Sequence, residues 1–155
     1  MAELIMKSLM GIMLLLTAIQ DLYYKKISTW IVVIGTILLC ICIPFCKELS
    51  LLDRALGLSV GAGVMLTSKA TGGKIGMGDG LLLGVTGIGL GFWENLELFA
   101  LSLFAAAIVS IILLAFKLAD RKKSIPFVPF LLIGYIINFI SSRPWNLVGN
   151  EFPLF

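Results

Sequence analysis

The sequence predicts an all-α membrane protein: a polytopic bundle of about six transmembrane helices forming a single domain over residues 1–155. Hydrophobic residues make up 59% of the chain and charged residues only 14%, a balance that would leave a soluble domain coated in apolar surface. The mean hydropathy of +1.07 points the same way. The apolar residues are also gathered into six runs, several of them near the roughly 20 residues that a spanning helix needs. The runs are Leu4–Ile19, Ile27–Phe45, Ala55–Thr67, Leu81–Trp93, Leu96–Phe116 and Phe127–Ile140.

The first run is preceded by Glu3, carries Lys7, and is followed by Gln20-Asp21-Leu22-Tyr23-Tyr24 rather than by a small-residue cleavage site, which predicts a retained helix. The second run holds or ends on Cys40, Cys42 and Cys46. No two of these have metal-ligand spacing and the chain has no histidine, so they are read as small core residues, and neither a metal nor a cofactor is expected. The third and fourth runs carry Gly57, Gly61 and Gly63, then Gly84, Gly87, Gly89 and Gly91, small residues that let helix backbones approach closely within lipid. Between them, Thr71–Gly80 is too rich in glycine to read as helix, and is expected as a loop inside the mouth of the bundle. After the fifth run and Arg121-Lys122-Lys123, two prolines set the start of the last helix near Pro126 or Pro129, with Ser124 as its cap. No internal repeat or low-complexity linker divides the chain.

The net charge of +3 is read through its distribution among loops rather than as the mark of a nucleic-acid partner, which is not expected. The loops after helices one, three and five carry Lys25, Lys26, Lys69, Lys74, Lys117, Arg121, Lys122 and Lys123; the other side carries Lys7, Lys47, Arg54 and Arg143. The positive-inside rule then puts both termini outside and the three basic loops in the cytoplasm of a cell whose inner membrane holds the chain.

In this arrangement Asp21 closes the first apolar run and Asp79 opens the fourth, so both acids come to the cytoplasmic boundary. Ionisable groups beside hydrocarbon are costly and face the bundle interior or water. Two carboxylates at one depth suit an aspartic-protease dyad, in which the pair shares one proton because neighbouring like charges cannot both ionise. A purely structural reading stands beside this one. Asp21, with Tyr23, Tyr24, Lys25 and Lys26, would be an interfacial collar, and Asp79 a helix cap.

Gly76-Met77-Gly78-Asp79 matches the Gly-x-Gly-Asp motif of membrane aspartic proteases, in which glycines before the acid let a substrate backbone approach. Two further segments have familiar spacing. Asp21 stands six residues before Ile27-Ser28, across a basic stretch, and Ile125-Pro126-Phe127-Val128-Pro129-Phe130-Leu131 precedes the last helix. Taken together, these segments resemble the type IV prepilin peptidase family, with its first catalytic aspartate ahead of an Ile-Pro-Asn helix start and its Ile-Pro-Phe-Gly-Pro-Phe-Leu stretch. The chain departs from that pattern at Ser28-Thr29, at Val128, and in lacking a lysine shortly after Asp79.

The resemblance implies an aspartic endopeptidase with Asp21 and Asp79 as catalytic residues. Gly76, Met77, Gly78, Gly80 and Lys74 would form the motif loop around the second acid, and Pro126 and Pro129 the motif before the last helix. It implies a prepilin or pseudopilin substrate, with a basic cytoplasmic leader ahead of an apolar helix, and the lipid bilayer as the other partner. The paired Cys-x-x-Cys insertion associated with methylation in longer members is missing, so peptidase without methyltransferase activity is the expectation. Lys25, Lys26 and Lys74 are read either as solvated positive-inside residues or as groups that hold substrate carboxylates or lipid headgroups. Two other classes remain open at this level: a small proton- or cation-coupled transporter subunit using the same acids, and a noncatalytic assembly subunit that needs neither.

Overall fold

A computed structural model describes residues 2–24, 27–46, 49–72, 76–117 and 126–148. Among them are six α-helices and one 3-10 turn, with no strand. The helices are α1 (Ala2–Tyr24), α2 (Thr29–Cys42), α3 (Leu51–Ala70), α4 (Met77–Leu90), α5 (Phe92–Ala115) and α6 (Val128–Val148); the 3-10 turn Ile43–Phe45 follows α2. All-α architecture and the number of helices agree with the sequence reading. Two helices, Leu4–Tyr24 and Phe92–Ala115, are long and apolar enough to cross a membrane, while Thr29–Phe45, Met77–Leu90 and Val128–Ser141 are shorter apolar helices.

The centre of the molecule is α4, which touches α1, α2, α3 and α5. Leu82, Leu83, Val85, Thr86 and Leu90 are all buried, so past its first turn or two this helix is covered by its neighbours. Its largest interface is with α3, and glycine makes it. A Cβ on Gly57 would run into the Gly87 carbonyl, and one on Gly61 would stand 2.5 Å from the Gly84 Cα and 2.6 Å from the Gly80 carbonyl. The two backbones therefore touch, and dispersion between them holds the contact. Gly63, grouped with these in the sequence, meets nothing within 4 Å. It is not a packing glycine.

Buried polar side chains fix the register of this packing. Asn95 of α5 donates through Nδ2 to the Gly57 carbonyl (3.2 Å) and the Leu83 carbonyl (2.9 Å), and its Oδ1 accepts the Thr86 hydroxyl (2.7 Å). One side chain thus ties three helices, and each polar atom removed from water has a partner. Tyr135 of α6 donates to the Lys7 carbonyl of α1 at 2.6 Å. Met6, Met10, Met13 and Leu14 place the inner face of α1 in the core.

Several boundaries differ from expectation. The break between α4 and α5 falls at Gly91, whose φ of 81° suits glycine, so Phe92 and Trp93 open α5 rather than close α4. Asp53 accepts the Phe92 N–H at 3.3 Å, giving α5 across space the cap that Gly91 lacks. Helix α4 begins at Met77, well inside the stretch read as loop, and Thr71, Gly72, Gly76 and Met77 are exposed rather than tucked into the bundle. Because α6 opens at Val128, Phe127 and not Ser124 stands at the cap position; Ser124 lies outside the described residues. Of the three cysteines only Cys46 is buried, while Cys40 is exposed on α2.

The outer surface is apolar. Leu15, Leu16, Ile34, Ile37, Phe104 and Ile111 are all exposed, a coat that water would not tolerate over so large an area. Tyr23, Tyr24, Trp30 and Phe116 lie towards the α1 C-terminal end, and Phe45 and Trp93 towards the other, as aromatic residues do at the two faces of a bilayer.

Candidate active site

Asp21 lies in the last turn of α1, on the face that carries the buried Leu14 and Thr17, and is itself only 7% exposed. Its Oδ2 accepts the backbone N–H of Val128 at 3.2 Å. Val128 is the first residue of α6, where amides have no intrahelical acceptor, and a carboxylate also meets the positive end of the helix dipole there. Phe127, just before it, packs edge-on against Phe99 of α5 with ring centroids 6.5 Å apart. The bond to Asp21 uses only a backbone donor, so valine serves as well as the glycine of the resembling motif. The Val128 side chain, with no exposed surface, fills core space.

After α1 the chain doubles back, and Gln20 accepts the Ser28 N–H at 3.0 Å to hold the turn closed. Ser28 then takes the extended N-cap conformation for α2, so a helix starts here without the Pro-Asn of the resembling family. The fold-back lays Ile27 against the start of α4. A Cβ on Gly78 would stand 2.6 Å from the Ile27 Cδ1.

The other glycines around Asp79 are equally constrained. Gly76 is the N-cap of α4, and a Cβ there would come 2.6 Å from Oδ2 of Asp79, whose carboxyl leans back over the cap. On Gly80 a Cβ would come 2.6 Å from the Met65 Cγ of α3. The three glycines thus serve different ends. Gly76 leaves room for the acid, Gly78 leaves room for the α1–α2 turn, and Gly80 allows contact with α3. Asp79 itself is half-buried in the first turn of α4, withdrawn from water and within range of the Asp21 charge. Met77 beside it is exposed, and Lys74, like Lys25 and Lys26, lies outside the described residues.

Three segments far apart in sequence thus converge: the end of α1, the Gly-x-Gly-Asp start of α4, and the Pro126–Pro129 entry to α6. The family model of the type IV leader peptidases matches residues 8–116, from within α1 to just past the end of α5. The chain belongs to the type IV leader peptidase family. Peptide-bond hydrolysis is accordingly the kind of activity the family implies. Among curated proteins and among solved structures none matches the chain. The leader peptidase match contains both aspartates together with Gly76, Met77, Gly78 and Gly80, whereas Pro126 and Pro129 lie beyond it.

Sequence reasoning did not single out the Val128 N–H, Ile27, Gln20 or Met65 as partners of the site. For Val128 a signal existed, because two prolines three apart leave few amides free to donate at that helix start. The contacts of Gln20, Ile27 and Met65 depend on how the α1–α2 turn folds back, which no local pattern encodes.

Proposed function

We propose that this leader peptidase is a membrane aspartic endopeptidase that removes the basic leader of a type IV prepilin-like or pseudopilin substrate at the cytoplasmic membrane face, using Asp21 and Asp79 and one water. The observation that supports the reading is one acid in the last turn of α1 and another in the first turn of α4, with Asp79 in range of the Asp21 charge. In this reading all six helices cross the inner membrane with both termini outside. The pair then stands where a cytoplasmic leader gives way to its apolar helix, and basic loops on the same side accord with it.

The chemistry follows from two neighbouring carboxyls sharing a proton. The ionised one takes a proton from water as its oxygen attacks the scissile carbonyl carbon; the protonated one hydrogen-bonds the carbonyl oxygen and then gives it its proton. The resulting gem-diol collapses by returning a proton to the second carboxyl, breaking the C–N bond as the first carboxyl protonates the amine. The Val128 N–H orients Asp21 throughout. A leader extended past the ends of α1 and α4 passes the exposed Gly76 and Met77 beside Asp79.

The test is purified protein in phospholipid vesicles with a synthetic substrate made of a lysine-rich leader and an apolar helix. Mass spectrometry should find a single cut at the junction of the two. An uncut substrate, or cuts scattered through the helix, would contradict the assignment. A proton- or cation-coupled carrier would want its acids near the midplane between related halves, and these stand at helix ends.

A further inference from the structure

The two carboxyls are held by different neighbours. Asp21 is oriented by α6 through the Val128 N–H, and the first turn of α4, which carries Asp79, is seated on α3 where Gly80 admits Met65. Direct packing of α1 on α4 is seen where Gly89 leaves room for Met10, eleven residues before Asp21 and about 16 Å up the helix. At the carboxyl end the α1–α2 turn lies between the two helices.

A side-chain bond closes that turn. Gln20, the neighbour of Asp21 in the chain, accepts the Ser28 N–H through Oε1 at 3.0 Å, in a partly buried position. Ser28 follows Ile27, whose Cδ1 and Cβ would stand 2.6 Å and 3.1 Å from a Cβ on Gly78, the neighbour of Asp79. A connected path thus runs from acid to acid through one hydrogen bond and one packing contact. The contact is stiff, because isoleucine branches at Cβ and has little rotamer freedom with which to absorb a shift. The Ser28 carbonyl serves α2, accepting the Ile31 and Val32 N–H groups at 3.1 Å and 3.4 Å, and the Ser28 hydroxyl makes no cap bond.

We infer that Gln20 is a positioning residue for the peptidase reaction: its bond to Ser28 fixes where Ile27 meets α4, and so the alignment of Asp21 with Asp79. The inference rests on the peptidase reading. It gives Gln20 a role through the turn rather than on the substrate. A net hydrogen bond favours one arrangement over its alternatives by up to about tenfold, and a displacement of about 1 Å between reacting groups can lower a rate about a hundredfold. One bond so placed is enough to govern the rate without governing the fold.

The experiment measures kcat and KM for cleavage of the synthetic leader-and-helix substrate in phospholipid vesicles. The enzymes compared are the intact wild-type chain, Gln20→Met, and Gln20→Met combined with Ser28→Pro. Methionine is close to glutamine in length and helix propensity, and its thioether is only a weak acceptor. Proline suits position 28, where φ is −71°, since its ring holds that angle and it has no N–H to satisfy. Gln20→Met should unfold at the wild-type temperature yet lose about tenfold in kcat with KM within about twofold, the mark of an interaction lost only in the transition state. The double variant should recover most of that loss. A purely structural Gln20 would lower Tm and leave kcat unchanged. That result, a change confined to KM, or no recovery with proline overturns the inference, while cleavage by the wild type keeps the peptidase reading intact. A wild-type chain that leaves the substrate uncut removes the peptidase reading, and the inference falls with it.

Discussion

At the scale of single residues, Asp21 does two things that mutation can separate. Its carboxylate caps the first amide of α6, and an asparagine oxygen can accept the same Val128 N–H while lacking the acid. Asp21→Asn should therefore keep its unfolding temperature close to wild type, whereas Asp21→Ala should lose about 1 kcal/mol of stability, the usual worth of a helix cap. If both substitutions are equally harmless to the fold, the bond to Val128 contributes nothing and Asp21 needs another explanation. The glycines offer a second test. Gly78→Ala forces a Cβ against Ile27 and should cost about 1–3 kcal/mol as overpacking does. Shortening Ile27 to alanine in the same chain should recover part of that loss, as read by denaturation of the double variant. Asp79 was legible in the sequence because glycines flank it on both sides. Asp21 was singled out through its position and the inexact match after Ile27, while its partner amide, in a segment more than a hundred residues away, was not.

Helix by helix, the glycine spacing announced close approach between α3 and α4, and Gly57 and Gly61 deliver it, but spacing alone could not separate them from Gly63. The difference is the side of the helix each one occupies. Gly61→Ala should break the α3–α4 contact and sharply reduce folded protein, because the obstructing atoms are backbone and cannot rotate away. Gly63→Ala should be neutral or stabilising by roughly 0.5–1 kcal/mol, since alanine is the better helix former and the site is open. Equal effects at the two positions, measured by thermal unfolding in detergent, would contradict the packing described. The Asn95 clasp was not legible at all, because an asparagine beside Glu94, between two apolar runs, reads equally as an interfacial residue. A double-mutant cycle of Asn95→Leu with Thr86→Val should return a coupling of about 0.6 kcal/mol, rising to about 1.7 at most, as interhelical hydrogen bonds in membranes do. The α4–α5 boundary was misplaced for a related reason. Hydrophobicity continues through Gly91 into Phe92 and Trp93, and only the positive φ of Gly91 and the distant Asp53 cap reveal the break.

For the whole molecule, composition sufficed to indicate a helical bundle with an apolar exterior, and the exposed leucines, isoleucines and aromatic ends bear out that surface. Which helix lies at the centre was not readable, because α2 and α5 are more apolar than α4; its place comes from glycines that admit its neighbours. The proposed orientation is tested by single cysteines at Thr71 and Leu51, both exposed at opposite ends of α3, in a chain with Cys40, Cys42 and Cys46 replaced by serine or alanine. An impermeant maleimide should reach Thr71→Cys from the cytoplasmic side and Leu51→Cys from outside; labelling of both from one side contradicts the topology. Everything proposed for the reaction depends on the two acids working as a pair. The decisive measurement is cleavage of a prepilin-like substrate by Asp21→Asn and Asp79→Asn, each first shown to unfold at the wild-type temperature. Each substitution alone should lower the rate by roughly a thousandfold or more, because residues that act as a unit fail together. Cleavage at the wild-type rate by either variant would contradict the pairing.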